Sequence, residues 1–241
     1  LATADTPDHP LNDRQLRRFA DTVDALKPAP RVVHVANTDA LAQLPDRLPP
    51  DAQYARTGLG LYGLTSTPAP SSSEPSSESS SLRRSAVDVQ PVLSLKTQVV
   101  HLHTVPEGET VSYGAHWTAP HDTQVATIGI GYGDGYPRAA SGLAQVRIHG
   151  ALRPMIGSVC MDLCMVDLGS PDSTLAQRTC VGDTVVLFDD TAPTLHDVAC
   201  WSETIPYEIC CQLAPRVPRR YQTSDSPLVE ENGTIERHYH R

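Results

Sequence analysis

The sequence predicts an α/β plus all-β fold, the last part of a (β/α)8 barrel followed by a mainly antiparallel β domain. Three observations carry this. Helix-like and strand-like stretches alternate through residues 1–66, at the spacing of parallel βα units. Residues 67–90 are dominated by Ser, Pro and Glu and show no apolar periodicity. From residue 91 to about 223, short β-rich stretches recur between Gly, Pro and Asp turns.

Each element follows from its pattern. Between Asn12 and Lys27, the residues Leu16, Phe19, Ala20, Val23 and Leu26 recur on one helical face. Asn12 or Asp13 suits the cap, and Pro28 stops the helix. Arg31–Val35 reads as a short, fully buried strand. Thr38–Leu44 reads as a helix ended by Pro45. A further strand runs near Ala55 into Gly58-Leu59-Gly60-Leu61-Tyr62-Gly63. Two such units are too few to close a barrel, so residues 1–66 read as the C-terminal portion of one. Residues 67–90 cannot bury enough apolar surface to offset ordering, so they read as a disordered insertion. Strands are expected over Val92–Val105, Gln124–Ile130, Gln145–Ile148, Cys164–Leu168 and Thr184–Phe188. Short helices follow over Thr194–Ser202 and Pro206–Leu213, and a polar tail occupies 224–241.

Composition narrows the function. A net charge of −9 argues against binding to nucleic acid or an anionic membrane surface. No apolar run approaches the ~20 residues of a membrane helix. Leu1 opens the chain without a charged and apolar leader, so it reads not as a signal peptide but as the start of a fragment that begins within a longer protein, which is expected to be cytoplasmic. Six cysteines without a C-x-x-C pair read as reduced, buried thiols. Ten scattered histidines give no metal-ligand spacing, so no metal is expected.

Four segments exceed what core packing requires: Val111-Ser112-Tyr113-Gly114 with His116-Trp117; the glycine-rich run from Gly129 to Arg138; Gly157-Ser158-Val159-Cys160-Met161-Asp162; and Glu203 to Glu208. Glycines at 129, 131, 133 and 135 allow close backbone approach and should make the intervening tyrosines stand out from a tight turn. The run lacks the Gly-Lys-Ser/Thr ending of a phosphate loop and the βαβ context of a dinucleotide fingerprint.

In order, the strings VSYGAHWTAP, IGIGYGDGYPR, GSVCMDLCMVDL, ETIPYEI and RVPRRY resemble the C-terminal half of the alanine racemase family. HVANT and YARTGLGLYGL resemble the end of that family's barrel. The resemblance implies pyridoxal phosphate chemistry on alanine in a head-to-tail homodimer, where one subunit's β domain completes the other's site. It implies two bases, a lysine that also holds the cofactor and a tyrosine, here Tyr113. Arg56 would face the cofactor's ring nitrogen and keep it unprotonated. Thr38, Gly58, Leu59 and Tyr207 would hold the phosphate, and Met161 the substrate carboxylate. Tyr132 would line the approach to the pocket, with Arg138 and Asp162 further out. Some members carry arginine where this chain has Ser158, which alters the entrance electrostatics. The family's Lys-Ala-x-x-Tyr-Gly-His-Gly motif is missing. The chain contains only Lys27 and Lys96, in other contexts, so it is expected to be inactive alone. The usual family role is D-alanine supply for peptidoglycan. Two other readings stay open: a non-catalytic remnant, and an amino-acid racemase of broader specificity.

Overall fold

The computed structural model describes residues 1–66 and 89–221. The expected insertion at 67–90, apart from Val89 and Gln90, and the tail at 224–241 lie outside these residues. The chain forms two compact units, Leu1–Val92 and Leu93–Arg241.

In the first unit, helix α1 spans Pro10–Ala25. It starts before the expected cap. Pro10 presets the first turn, and His9 Nδ1 accepts the Leu11 N–H at 3.1 Å. Asn12 is buried and serves another purpose, with its amide 3.0–3.2 Å from the carbonyls of Thr3, Thr6 and Pro7. Helix α2 spans Thr38–Gln43, capped by the Asn37 side chain on the Ala40 N–H. The segments before α2 and before Gly58 run parallel. Val35 N donates to Tyr54 O, Gln53 N to Val33 O and Arg56 N to Ala36 O, at 3.2, 3.0 and 2.8 Å. The expected fully buried strand at 31–35 needs correction: only Val35 is buried, and Arg31, Val32 and His34 are exposed. Among the described residues this segment has one neighbour, through the His34–Tyr54 bridge, so one edge is uncovered. A small core of Ala4, Ala36, Ala40 and Leu44 lies beneath.

The second unit is a closed six-stranded barrel, in the order β1-β4-β7-β6-β5-β8, with every pair antiparallel. Its strands are β1 (Leu95–Val105), β4 (Thr123–Ile128), β5 (Gln145–Ile148), β6 (Ala151–Ile156), β7 (Cys164–Asp167) and β8 (Thr184–Phe188). Closure rests on the length of β1. Leu95–Gln98 pairs with β8 and Val99–Val105 with β4, and the register shifts between Leu95 and Lys96 against β8 and between Val99 and His101 against β4. Val99, Val125, Ile128, Val146, Ile148, Val166, Val185 and Phe188 are almost wholly buried in it. A two-stranded ribbon, β2 (Thr110–Val111) and β3 (Trp117–Thr118), carries the Tyr113 turn between its strands. Short helices α3 (Thr174–Arg178), α4 (Leu195–Trp201) and α5 (Pro206–Gln212) complete the unit. The sequence reading missed β6, the ribbon and α3.

The cysteines also need correction. All six are free thiols, but only Cys164 is buried. Cys160 and Cys210 are half-buried, and Cys180, Cys200 and Cys211 are exposed. Helix α4 turns Leu195, Val198 and Ala199 inward, which leaves Cys200 outside.

Candidate functional site

The sequence-predicted residues fall into two groups, one in each unit. In the first unit, Thr38 opens α2 and is 4% exposed. Its Oγ1 accepts the N–H groups of Gly58 and Gly60, each at 3.1 Å. Thr38, Gly58 and buried Leu59 therefore form one tight cluster. Arg56, two residues upstream, is exposed. It hydrogen-bonds to His34 Nδ1, with a second contact to His34 O at 3.4 Å. A guanidinium only donates, so the imidazole accepts at Nδ1 and carries its proton on Nε2. The sequence reading missed His34, although it opens the HVANT string.

In the second unit the hub is the 157–163 loop. Three of its carbonyls take hydrogen bonds from other segments: Ser158 O from Ser112 Oγ at 3.0 Å, Cys160 O from Tyr132 N at 3.0 Å, and Met161 O from Gly133 N at 2.8 Å. The Tyr113 turn and the glycine run thus meet on one loop. Beneath them lies an apolar cluster of Val105, Val111, Ala119, Val125, Ile156 and Met165, with Trp117 and Cys160 packed against it. Close approach explains Gly131: a Cβ there would lie 2.2 Å from Cys160 O.

Tyr113 projects outward and is 77% exposed. The backbone around it is contorted, with φ of 72° at Ser112, 81° at Gly114 and 48° at Ala115. Met161 is 55% exposed and Tyr132 is 42% exposed. The glycine run presents Tyr132 as expected but not Tyr136, which is 1% exposed, with its hydroxyl unpartnered. That phenol folds back into the core, and burial pushes its pKa upward. Burial also pushes the Cys164 thiol up to about 12, with Cys160 adding to the effect. The Cys164 Sγ donates to Ile130 O at 3.0 Å.

Asp162 and Arg138 are exposed. Asp162 pairs with Arg216 Nη2 at 2.7 Å, and Arg216 Nε reaches Asp134 at 2.9 Å. The hydrogen bond to Asp162 leads the causes that raise the Arg216 pKa. Asp134 Oδ2 accepts the Gly131 N–H at 3.1 Å, so Arg216 ties the C-terminal segment to both the glycine run and the Met161 loop. The sequence reading missed Arg216 and Asp134, though both sit inside quoted strings. The Arg138 carbonyl accepts from Ser141 Oγ at 2.5 Å, and that hydroxyl accepts the Val159 N–H at 2.9 Å. Tyr207 is half-buried in the first turn of α5. A cleft of about 470 Å³ beside the Tyr113 turn is lined by His116, Trp117, Gly157 and Ser158, among others. A second, of about 200 Å³, is lined by Tyr132, Tyr136, Arg138 and Gln212, with Gly135 and Pro137. Among the described residues, no group of three His, Cys, Asp or Glu could hold a metal ion. No helix there is long and apolar enough to cross a membrane.

Fold and site together define a class, an α/β segment joined to a closed antiparallel barrel that presents a phenol from a strained turn. Comparison with known proteins makes the class specific. The sequence model of the alanine racemase C-terminal domain matches residues 92–221, and that of the N-terminal domain matches 1–66. The alanine racemase of Deinococcus radiodurans is 39% identical over 220 residues, covering 91% of this chain and 56% of that protein. That of Desulforamulus reducens is 34% identical over 224 residues, covering 92% and 55%. Among solved structures, the alanine racemase of Streptomyces lavendulae has a TM-score of 0.78 at 33% identity, covering 92% of this chain and 55% of that one. The Bacillus anthracis enzyme with bound L-Ala-P has a TM-score of 0.76 at 30% identity, covering 94% and 54%. The chain belongs to the alanine racemase family. It spans about half the length of the curated relatives it matches.

Proposed function

We propose that this chain is part of a protein that interconverts L- and D-alanine with pyridoxal phosphate, at a site completed by two copies. When bound, that cofactor supplies an electron sink for the charge left at Cα once its proton is removed. The donor set of the first unit fits it. Thr38 Oγ1 already accepts two N–H groups, so both lone pairs are used and its proton is left to donate to a phosphate oxygen. The backbone of Gly58 and Leu59 adjoins that hydroxyl, and Tyr207 joins the phosphate group by its match to the family's ETIPYEI string. Arg56 would donate to the ring nitrogen and keep it unprotonated.

The observation that carries the reading is Tyr113, a phenol thrust into solvent from a turn that the fold holds in a strained shape. In the dimer it would move a proton at the Cα of alanine bound to the other copy. Met161 would hold the carboxylate through its N–H, since a carboxylate only accepts, while its carbonyl is engaged by Gly133. Tyr132, Arg138 and Asp162 would flank the approach. The second base is a lysine that neither Lys27 nor Lys96 supplies. Lys27 follows α1, and Lys96 lies exposed on β1. The 241 residues alone would therefore not racemise alanine. The role that fits is D-alanine supply for peptidoglycan in the cytoplasm.

The test uses the full-length protein that contains these residues, assayed on alanine and serine. Expected are cofactor absorbance and faster turnover of alanine than of serine. Tyr113→Phe should keep the cofactor and lose about 10²-fold or more in rate. Normal racemisation by that variant would refute the role of Tyr113. Absence of both cofactor and activity in the unaltered protein would favour the non-catalytic remnant.

A further inference from the structure

Resting on the reading that Tyr113 moves the proton, we infer that Ser158 is a positioning residue whose hydroxyl clamps the Tyr113 carbonyl and so aims the phenol. Among the described residues the Tyr113 hydroxyl has no hydrogen-bond partner, and the ring is 77% exposed. Within the described residues the hold on Tyr113 is therefore at its backbone, where its carbonyl accepts a hydrogen bond. That backbone is unusual. Ser112 has φ 72° and ψ 173°, a conformation essentially confined to glycine, and such residues persist only where the surroundings over-determine them.

Ser158 supplies that over-determination. It is only 6% exposed. Its Oγ donates to Tyr113 O at 3.0 Å. Its N–H donates to Ser112 Oγ at 3.2 Å, and Ser112 Oγ donates back to Ser158 O at 3.0 Å. The preceding Gly157 permits the contact, because a Cβ there would lie 2.6 Å from Ser112 Cβ. Two serines thus bond each other and grip the residues on either side of the Ser112–Tyr113 peptide. The Ser158 hydroxyl is the part of this brace that touches Tyr113 itself. A displacement of about 1 Å at a reacting group costs up to ~10²-fold in rate.

The experiment compares Ser158→Ala, Ser158→Thr and Ser112→Gly in the full-length protein with pyridoxal phosphate bound. Three quantities are measured: amide hydrogen exchange across 112–116, kcat and KM for alanine in both directions, and the Cα-deuterium isotope effect. For Ser158→Ala, exchange in the turn should rise about tenfold while the barrel strands stay protected. Its kcat should fall about 10- to 100-fold with KM within about twofold. The isotope effect should grow in one direction only, the one in which the phenol removes the proton. Ser158→Thr keeps the hydroxyl and should recover most of the rate. Ser112→Gly relieves the strained φ yet loses the brace, so it should be as stable as the parent and still slow. A Ser158→Ala protein with parental kcat and parental exchange overturns the inference, as does a rate loss that only follows the melting temperature. If the unaltered protein racemises nothing, the underlying function fails, while the exchange rates still decide whether Ser158 holds the turn.

Discussion

Replacing Thr38 by Val removes one oxygen from a point where two backbone N–H groups converge. Gly58 is exposed, so water takes up its N–H at little cost. Gly60 is half-buried and tight against the threonine: a Cβ on it would lie 3.2 Å from Thr38 Cγ2, which leaves little space for a replacement water. A lost hydrogen bond is worth about 0.5–1.5 kcal/mol net, and an N–H left dry costs about 1–3 kcal/mol. The sum is about 2 kcal/mol, mostly from Gly60. At ~1.4 kcal/mol per tenfold, that is about 30-fold faster hydrogen exchange at the Gly60 amide. Native-state exchange resolved at 58–61 reads it directly. Thr38→Ser keeps the oxygen and sheds a methyl, so its exchange should stay within a few-fold of the parent. Exchange in Thr38→Val within twofold of the parent would refute the reasoning. So would a serine variant as damaged as the valine one, because then packing and not the hydroxyl would hold the turn.

Two further perturbations probe the second unit. Gly157→Ala places a side chain at φ 66° and 2.6 Å from Ser112 Cβ, so it should cost at least ~2 kcal/mol in urea unfolding. A midpoint matching the parent would mean that the turn yields freely. Alkaline pH should weaken the barrel through Cys164. The unfolded thiol titrates near 9.0, whereas the folded one is pushed up to about 12. Between those values the folded state binds more protons than the unfolded one, so stability is intact below about 9 and falls as pH rises. The slope is at most ~1.4 kcal/mol per pH unit. Urea unfolding from pH 8 to 11 under reducing conditions should show a flatter slope for Cys164→Ala than for the parent. Equal slopes would remove Cys164 as the cause.

Most helices and most strands were legible because their patterns are local. Gln145–Ile148 alternates with the period of a half-buried strand, Thr184–Phe188 is a short apolar run after a Gly-Asp turn, and both have the bounds the sequence suggests. Strand β6 was not legible, because Arg153 and Pro154 interrupt the apolar pattern. In the fold, Pro154 sits opposite Gln145 at the last pair of its ladder, where a missing donor is tolerated. The start of α1 was misplaced because Asn12 is a good cap by residue type. Its amide instead binds three carbonyls of the preceding segment, a fold of the chain that residue type alone does not signal.

The order of its motifs was enough to assign this chain to its family and to single out Tyr113, Thr38 and Arg56. Residue identities and spacings are carried by the chain itself and need no contact to be read. The tertiary structure decided what holds those residues. It placed Ser158 against the Tyr113 carbonyl across 45 positions, Thr38 beneath Gly60 across 22, and Arg216 on Asp162 across 54. A hydrogen bond acts over about 3 Å whatever the distance along the chain, and only the folded backbone brings such donors and acceptors within reach.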